Sequence, residues 1–211
     1  MYDQRFLYLT QKDVIETGFG VDEVIDTIEQ ALIEHVARRV EMPPKPGVHP
    51  LPDTFLHAMP AYVPNMQSLG MKWISCFPEN YKHGLQQTLG IIALNDIETG
   101  ILYSVMDCAW ITAQRTAAIT AIAAKHLARK ESEVLGVVGA GVQCRASLIF
   151  LSNVMPNLKR VQDYDLNKEA VDKFIRDLSQ YIEGEIVAVD TAQKAVSDCD
   201  IYVSATKVLS E

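Results

Sequence analysis

Residues 134–144 read VLGVVGAGVQC, an apolar run that leads into a glycine-rich turn. An uninterrupted run as short as Val134–Val138 is typical of a parallel strand that is buried on both faces. The turn follows the pattern G-x-G-x-x-G, with Gly139 and Gly141 in the first two places and Cys144, a small residue, in the third. We therefore predict a strand, a tight turn and a helix directly after it.

The glycine turn has the chemistry of a dinucleotide site. Gly139 permits the tight turn, Gly141 lets a pyrophosphate approach the backbone, and the helix N-terminus attracts negative charge. Such sites also need an acidic residue at the end of the second strand, where a carboxylate binds the ribose hydroxyls and repels a 2′-phosphate. Asp165 lies at that position, and Asp163 is expected within the strand. The pattern favours NAD(H) over NADP(H); the alternative interpretation is that both aspartates are solvated surface charges.

Beyond the turn, strand and helix patterns alternate. We predict strands over 160–164, 185–189 and 201–205 and helices over 142–153, 168–182 and 191–197. Alternation of this kind predicts an α/β fold with a right-handed parallel sheet of Rossmann type. Only four strands fit into the sequence, whereas a full dinucleotide-binding domain has six. We therefore expect a truncated NAD-binding domain over residues 131–211.

The part before residue 131 is predicted to be a separate α+β domain, residues 1–130. Apolar residues at helical spacing predict a helix over 21–36, and five prolines predict an extended loop over 42–52. Four strand patterns follow, and the last two are joined by turn-forming residues that predict a hairpin. These strands cover Phe55–Tyr62, Gly70–Cys76, Thr88–Leu94 and Ile101–Met106. Asp107 is expected to cap a helix that continues to about residue 130.

The composition is that of an ordinary globular protein. Of the 211 residues, 48% are hydrophobic and 22% are charged, and the net charge is −8. An acidic chain without clustered lysine and arginine argues against a nucleic-acid or anionic-membrane partner. No apolar stretch approaches the roughly 20 residues of a membrane span, and the N-terminus lacks the features of a signal peptide. The four cysteines are far apart, which predicts reduced thiols, no metal site and a cytoplasmic location.

Three cations stand in positions that need an explanation. Lys45 lies in the proline-rich loop, Lys72 lies within an apolar strand pattern, and Arg115 lies in an apolar helix. A half-buried cation requires an anion, and arginine can bind a carboxylate through two hydrogen bonds. Beside a dinucleotide site, these residues would hold the carboxylate of an amino acid or keto acid. The alternative interpretation is a set of solvated side chains.

Short motifs along the chain resemble those of a known protein family. They are MPPK (42–45), HAMPA (57–61), GMKW (70–73), QTLG (87–90), NDIETG (95–100), MD (106–107), RTAA (115–118), AAKHLAR (123–129) and GAGVQ (139–143). On these motifs the sequence resembles the ornithine cyclodeaminase/mu-crystallin family over nearly its whole length. MPPK and NDIETG are most similar to the alanine-dehydrogenase-like branch.

The resemblance implies a homodimer whose first domain carries the substrate and dimer contacts and is followed by a Rossmann domain. It implies that Lys45 and Lys72 hold the substrate carboxylate or act at the reacting centre, with Lys72 as the catalytic residue. Arg115 is a further predicted substrate contact. Near the nicotinamide end and the pyrophosphate, the predicted contacts are Thr88, Arg115 and Thr116. The predicted contacts to the adenosine and phosphate groups are Gly139, Gly141, Val142, Gln143, Asp165 and Thr206.

Members of this family move a hydride between NAD(P) and the α-carbon of an amino acid or imine. The resemblance therefore implies an NAD(H)-dependent enzyme that either converts ornithine to proline and ammonia or dehydrogenates an alanine-type substrate. His57 replaces an arginine that is usual in the alanine-dehydrogenase-like branch, which leaves the substrate open. The family's catalytic aspartate follows a fifth Rossmann strand, expected beyond residue 211. Two alternatives are a non-catalytic, crystallin-like dinucleotide-binding protein and an inactive fragment.

Overall fold

A computed structural model describes residues 5–206, which form two compact units. The first unit comprises the described residues up to 19 together with residues 29–112. The second comprises residues 20–28 and the described residues from 113 onward. Two helices, Val21–Val36 and Ala109–Leu127, contribute residues to both units. The domain bounds 1–130 and 131–211 stay a prediction.

The first two helices begin close together in the chain. Helix α1 (Gln11–Glu16) starts after Thr10, whose hydroxyl accepts the Asp13 amide while the Asp13 carboxylate accepts the Thr10 amide. This reciprocal arrangement is a capping box. Helix α2 (Val21–Val36) has the bounds predicted from its apolar spacing. Helix α1 and the strand β1 (Leu7–Leu9) were not predicted, because both are shorter than the windows in which periodicity is visible.

The first unit is built on a six-stranded sheet. Its strands are β1, β2 (Gly47–Val48), β3 (Phe55–Val63), β4 (Ser68–Cys76), β5 (Thr88–Asn95) and β6 (Leu102–Asp107). They follow the spatial order β1-β6-β5-β4-β3-β2; β1 is parallel to β6, and all other neighbours are antiparallel. The four predicted strands and the β5–β6 hairpin are confirmed, with small differences at the strand ends.

The proline-rich segment 42–52, predicted as an extended loop, also contributes the edge strand β2. Glu41 pairs with Tyr62, and the Pro46 oxygen accepts a hydrogen bond from the Ala58 amide at 3.0 Å, so this part of the chain runs alongside β3. Prolines are tolerated here because an edge strand needs amide donors on one side only.

The second unit is built on a four-stranded parallel sheet. Its strands are β7 (Val134–Val138), β8 (Arg160–Tyr164), β9 (Glu185–Ala188) and β10 (Ile201–Ser204), in the spatial order β10-β7-β8-β9. The intervening helices are α4 (Val142–Val154), α5 (Lys168–Leu178) and α6 (Ala192–Val196). All three strand pairs are parallel, which confirms the predicted Rossmann-type α/β fold.

The ends of two helices show local hydrogen bonding. Helix α3 (Ala109–Leu127) begins after Asp107, whose carboxylate accepts the Ala109 amide at 2.8 Å, as predicted. Helix α5 was predicted to reach residue 182, but it ends at Leu178 and continues as one 3₁₀ turn, Ser179–Tyr181. The Ser179 hydroxyl donates a hydrogen bond to the Ile175 carbonyl at 2.6 Å. Such tight turns are common where a helix ends.

Both large hydrophobic clusters lie in the second unit. The first joins the parallel sheet to α4 and α5, and its fully buried members include Leu135, Val137, Leu148, Leu151, Val161 and Phe174. The second joins α3, α4 and the first half of α2, and it includes Ile25, Ala117, Ala118, Ala121 and Phe150. The small alanine side chains let the helices pack closely.

Three further observations concern the cysteines, the helices and possible metal ligands. All four cysteines are free thiols. Within residues 5–206 no helix is both long and apolar enough to cross a membrane, and no three side chains of histidine, cysteine, aspartate or glutamate are grouped so that they could hold a metal ion.

Candidate functional site

The glycine turn between β7 and α4 is closed on one side and open on the other. Gly139 has φ +110°, and a Cβ atom built there would lie 2.5 Å from the Ala205 carbonyl oxygen. Gly141 has negative φ, and no neighbouring atom lies within 4 Å of the position that a Cβ would take. The fold therefore requires the first glycine, whereas the second leaves space for a ligand.

The open side of the turn exposes the start of α4. Gly141 is the N-cap residue and has no side chain that could bind the amides of the first turn. Val142, the first helical residue, is 66% exposed. Amides at a helix N-terminus bind anions, so a pyrophosphate fits this position.

Cys144 takes the third place of the glycine pattern. It is buried, and its Sγ lies 3.7 Å from the Val138 oxygen, so α4 packs closely on β7 at this point. Burial raises the pKa of the Cys144 thiol to about 12. The thiol is therefore uncharged at neutral pH and serves in packing.

Asp165 lies just after β8, and its carboxylate stabilises the glycine turn through a hydrogen bond to the turn's backbone. One carboxylate oxygen accepts the Ala140 amide and the other accepts the Asn167 amide, both at 2.8 Å. The side chain is half-buried, and each carboxylate oxygen keeps a further lone pair after one hydrogen bond has formed. Asp165 can therefore hold the turn and accept ribose hydroxyls at the same time.

Asp163 has a different environment, because its side chain is fully buried. Neither of its carboxyl oxygens has a hydrogen-bond partner within the described part of the chain. The interpretation of Asp163 as a solvated surface charge is therefore wrong. Burial and then the charge of Asp165 raise the pKa of Asp163 to about 7, against smaller opposing effects of the Tyr164 amide and Arg145.

Other predicted cofactor residues lie at or near this turn. The Thr206 Cγ2 atom would be 3.5 Å from a Cβ atom on Gly139, so Thr206 is beside the turn. Gln143 lies in the first turn of α4, and its Oε1 atom is buried without a partner among residues 5–206. Arg115 and Thr116 are half-buried on α3, and their roles stay predictions.

Two predicted residues of the first unit share one face of its sheet. Lys72 is directly opposite Met59 on β3 and Ile92 on β5, and Thr88 is directly opposite Cys76 on β4. Directly paired residues lie on the same face, as do residues two or four apart along a strand. Lys72 and Thr88 are therefore on one face, and both are half-buried.

Lys45 lies next to the same part of the sheet. It precedes Pro46, whose oxygen bonds the Ala58 amide, and Gly47, which pairs with His57. On β3, His57 is two residues from Met59, which pairs with Lys72, so Lys45 lies close along the chain to the strand that neighbours Lys72. Lys45 is exposed, in contrast to Lys72.

The positive charge of Lys72 influences the pKa of Cys108, which lies directly after β6. Burial raises the pKa of the Cys108 thiol, and the Thr112 side chain and the Lys72 ammonium group oppose that rise. A Cβ atom on Gly90 would lie 3.1 Å from the Cys108 Sγ atom. The sheet face of Lys72 therefore adjoins the buried Cys108, directly before α3.

A cluster of three rings lies on the same sheet face, and the sequence singled out only His57 among them. The His57 ring stacks on Phe55 with centroids 4.2 Å apart and meets His49 edge-on at 5.9 Å. His57 pairs with Ile74, two residues from Lys72. Alternation along β3 signals the shared face of Phe55 and His57, but the approach of His49 depends on the pairing of β2.

A parallel sheet with this turn and this acid defines the class of Rossmann-type nucleotide-binding proteins. The second unit has the strand order and the turn of that class, and the first unit adds a six-stranded sheet. The chain belongs to the ornithine cyclodeaminase/mu-crystallin family, whose family model matches residues 6–210.

Similar proteins include one curated relative and two solved structures. The chain is 35% identical to the nodulation efficiency protein NfeD of Rhizobium meliloti over 207 residues, 97% of this chain and 63% of the relative. It is 35% identical, with a TM-score of 0.90, to the Δ1-pyrroline-2-carboxylate reductase of Thermococcus litoralis in complex with NADH and L-proline, over 95% of this chain and 62% of that one. It is 34% identical, with a TM-score of 0.86, to an archaeal alanine dehydrogenase dimer with bound NAD, over 95% of this chain and 60% of that one. The chain thus spans less than two thirds of each of these proteins.

Proposed function

We propose that this protein is an NAD(H)-dependent enzyme that transfers a hydride at the α-carbon of a small amino or imino acid. The observation that carries the proposal is the glycine turn, where Gly141 leaves open space at the start of α4 and Asp165 braces the backbone. Relatives of known structure with NADH and L-proline, or with NAD, support the same cofactor and substrate class. When bound, the nicotinamide supplies the hydride donor or acceptor, and the chain binds and orients the reactants.

In this proposal the second unit binds the dinucleotide. The first-turn amides of α4, from Val142 and Gln143, hold the pyrophosphate, and Thr206 contacts the adenosine or phosphate groups. Asp165 accepts the ribose hydroxyls and repels a 2′-phosphate, which favours NAD over NADP. Proposed contacts near the nicotinamide end and the pyrophosphate are Thr88, Arg115 and Thr116.

The substrate carboxylate is proposed to bind Lys45 and Lys72, with Lys72 as the catalytic residue at the reacting carbon. Lys72 pairs with Met59 on β3, and Lys45 comes two residues before the edge strand that pairs with β3, which supports a shared anion site. Ammonium groups bind a carboxylate through short, charge-assisted hydrogen bonds. Arg115 is the third proposed substrate contact. The stacked ring of His57, on the same face as Lys72, is a candidate for selecting the substrate side chain.

Incubation of the protein with NAD and a panel of amino acids tests this proposal. Net NADH with an oxo acid identifies a dehydrogenase, and proline with ammonia from ornithine without net NADH identifies a cyclodeaminase. NADH consumption with a cyclic imine identifies a reductase. NADH binding without turnover across the panel would support a non-catalytic dinucleotide-binding protein instead, and the absence of NADH binding would overturn the proposal.

We also propose a homodimer that forms through the other face of the six-stranded sheet. Trp73 and Ile91 pair directly on that face, and they are 43% and 38% exposed. Exposed apolar patches mark interaction surfaces, and the related alanine dehydrogenase structure is a dimer. Light scattering over a concentration series should show a dimer that Trp73→Asp weakens and Tyr181→Asp, in the second unit, leaves unchanged.

The four free thiols support a cytoplasmic location, which we propose as well.

A further inference from the structure

Asp163 is a buried acid for which the proposed function has no role. It lies on β8, paired with Val137 on β7 and with Ala188 on β9, and neither neighbour offers a polar side chain. Its side chain is fully buried, and both carboxyl oxygens are without a hydrogen-bond partner in the described part of the chain. An ionised carboxylate in this place loses its hydration, and the neighbouring Tyr164 amide offsets only part of that cost. The environment therefore favours the neutral, protonated form.

The charged groups around Asp163 do not reverse this preference. Asp165, two residues further along the chain, opposes the ionisation of Asp163. Arg145 on α4 favours ionisation, but its guanidinium group is already paired with Asp177 on α5. Among residues 5–206 a further titratable neighbour is the buried Cys144 thiol, which stays protonated. Burial and Asp165 together raise the pKa of Asp163 to about 7, so the group changes its charge near neutral pH.

The two residues that follow Asp163 in the chain bind the glycine turn. The carboxylate of Asp165 accepts the Ala140 amide at 2.8 Å, and the Tyr164 carbonyl, between the two aspartates, accepts the Gly139 amide at 2.7 Å. The charges of both aspartates act on Cys144 in the first turn of α4. That turn is also where the pyrophosphate is proposed to bind. A second negative charge at Asp163 would therefore repel both Asp165 and the pyrophosphate.

We propose that Asp163 is a positioning residue for dinucleotide binding: when neutral it lets Asp165 hold the glycine turn, and when ionised it weakens the binding of the dinucleotide. This inference rests on the proposed function of the second unit as a dinucleotide site. Because linkage is reciprocal, a bound dinucleotide raises the proton affinity of Asp163, and binding near neutral pH takes up a proton. The affinity for the dinucleotide consequently falls as the pH rises through neutrality.

NADH binding, followed by fluorescence at about pH 6 and about pH 8, tests the proposal. The Kd of the wild-type protein should rise at least about fivefold between the two conditions, the lower end of usual coupling between sites. The Asp163→Asn variant, whose side chain has the same size but no charge, should bind NADH with the same Kd at both pH values. Asp172→Asn, at an exposed aspartate of α5, is the matched control and should keep the wild-type pH dependence. A merely structural role of Asp163 would not produce this difference in pH profile.

Carbon-13 NMR of the side-chain carboxyl groups tests Asp163 in the wild-type protein itself. One aspartate should titrate near neutral pH, and NADH should move its midpoint to a higher pH. If no aspartate titrates there, or if NADH binds the wild type with the same affinity at both pH values, the inference is overturned and the dinucleotide site stands. If NADH does not bind at either pH, the proposed function and the inference both fail.

Discussion

The two sheets of this molecule bury their side chains to different extents. The four-stranded parallel sheet contributes to a cluster whose central residues, such as Leu135, Val161 and Phe174, are excluded from solvent. In the six-stranded sheet every residue of β3 is only half-buried, and Trp73 on β4 is 43% exposed. Parallel sheets are covered by their crossover helices, whereas an antiparallel sheet can leave one face open.

This difference indicates how stability and function are divided between the two units. The second unit has a hydrophobic core of its own, and its accessible feature is the glycine turn. The first unit has one open apolar face, proposed to pair with a second copy of the chain, and one face that carries Lys72 and Thr88. We therefore expect cofactor binding to depend on the second unit and substrate binding to depend on the first. Four sets of substitutions test this division.

The largest effect is expected in the core of the second unit. Phe174→Ala removes a fully buried ring and should lower the free energy of unfolding by about 3–5 kcal/mol. Trp73→Ala, at a half-exposed position of the first unit, should cost less than about 1 kcal/mol when the protein is monomeric. Urea denaturation of both variants measures the difference. An equal loss of unfolding free energy in both variants would show that the two sheets contribute alike to stability.

The next largest effect is expected for substrate binding. Lys72→Ala should weaken substrate binding by about 100-fold, because it removes a proposed ligand of the carboxylate from a half-buried face. NADH affinity should change by less than about twofold in the same variant. Lys12→Ala, which removes a lysine that pairs with Glu16 on the surface, is the control and should affect neither. Equal loss of substrate and NADH binding would contradict the role given to Lys72.

A smaller effect separates the two glycines of the turn. Gly139→Ala should lower the free energy of unfolding by about 1–3 kcal/mol, because φ is +110° and the new Cβ atom would meet the Ala205 oxygen. Gly141→Ala has open space and should change stability by less than about 0.5 kcal/mol. Its methyl group should nevertheless weaken NADH binding, because it enters the proposed pyrophosphate site. Wild-type NADH affinity in Gly141→Ala would argue against that site.

The smallest effect concerns cofactor choice. Asp165→Ser should shift the ratio of NADP affinity to NAD affinity by roughly tenfold toward NADP, because the repulsion of a 2′-phosphate is lost. Titration with both cofactors measures the ratio, and Asp172→Ser is the control at an exposed aspartate. An unchanged ratio in Asp165→Ser would show that another residue reads the ribose.

Local sequence was sufficient to predict the elements of the second unit. The strands β7 and β8 have the predicted bounds, because their patterns are bounded by clear turn signals. It was not sufficient for β1 and β2, which are two or three residues long. These strands exist because β6 and β3 offer free edges, and the pairing of distant segments is not visible in a short stretch of sequence.

The sequence by itself determined the residue types at the glycine turn, the acid at the end of β8 and the family to which the chain belongs. Only the tertiary structure decided that Asp163 is buried while Asp165 reaches the turn, although the two are separated by one residue. It also decided that Lys72 and Thr88 share a sheet face that excludes Trp73. The physical reason is that burial, register and the charge of an acid depend on neighbours from other elements, which periodicity along one segment does not specify.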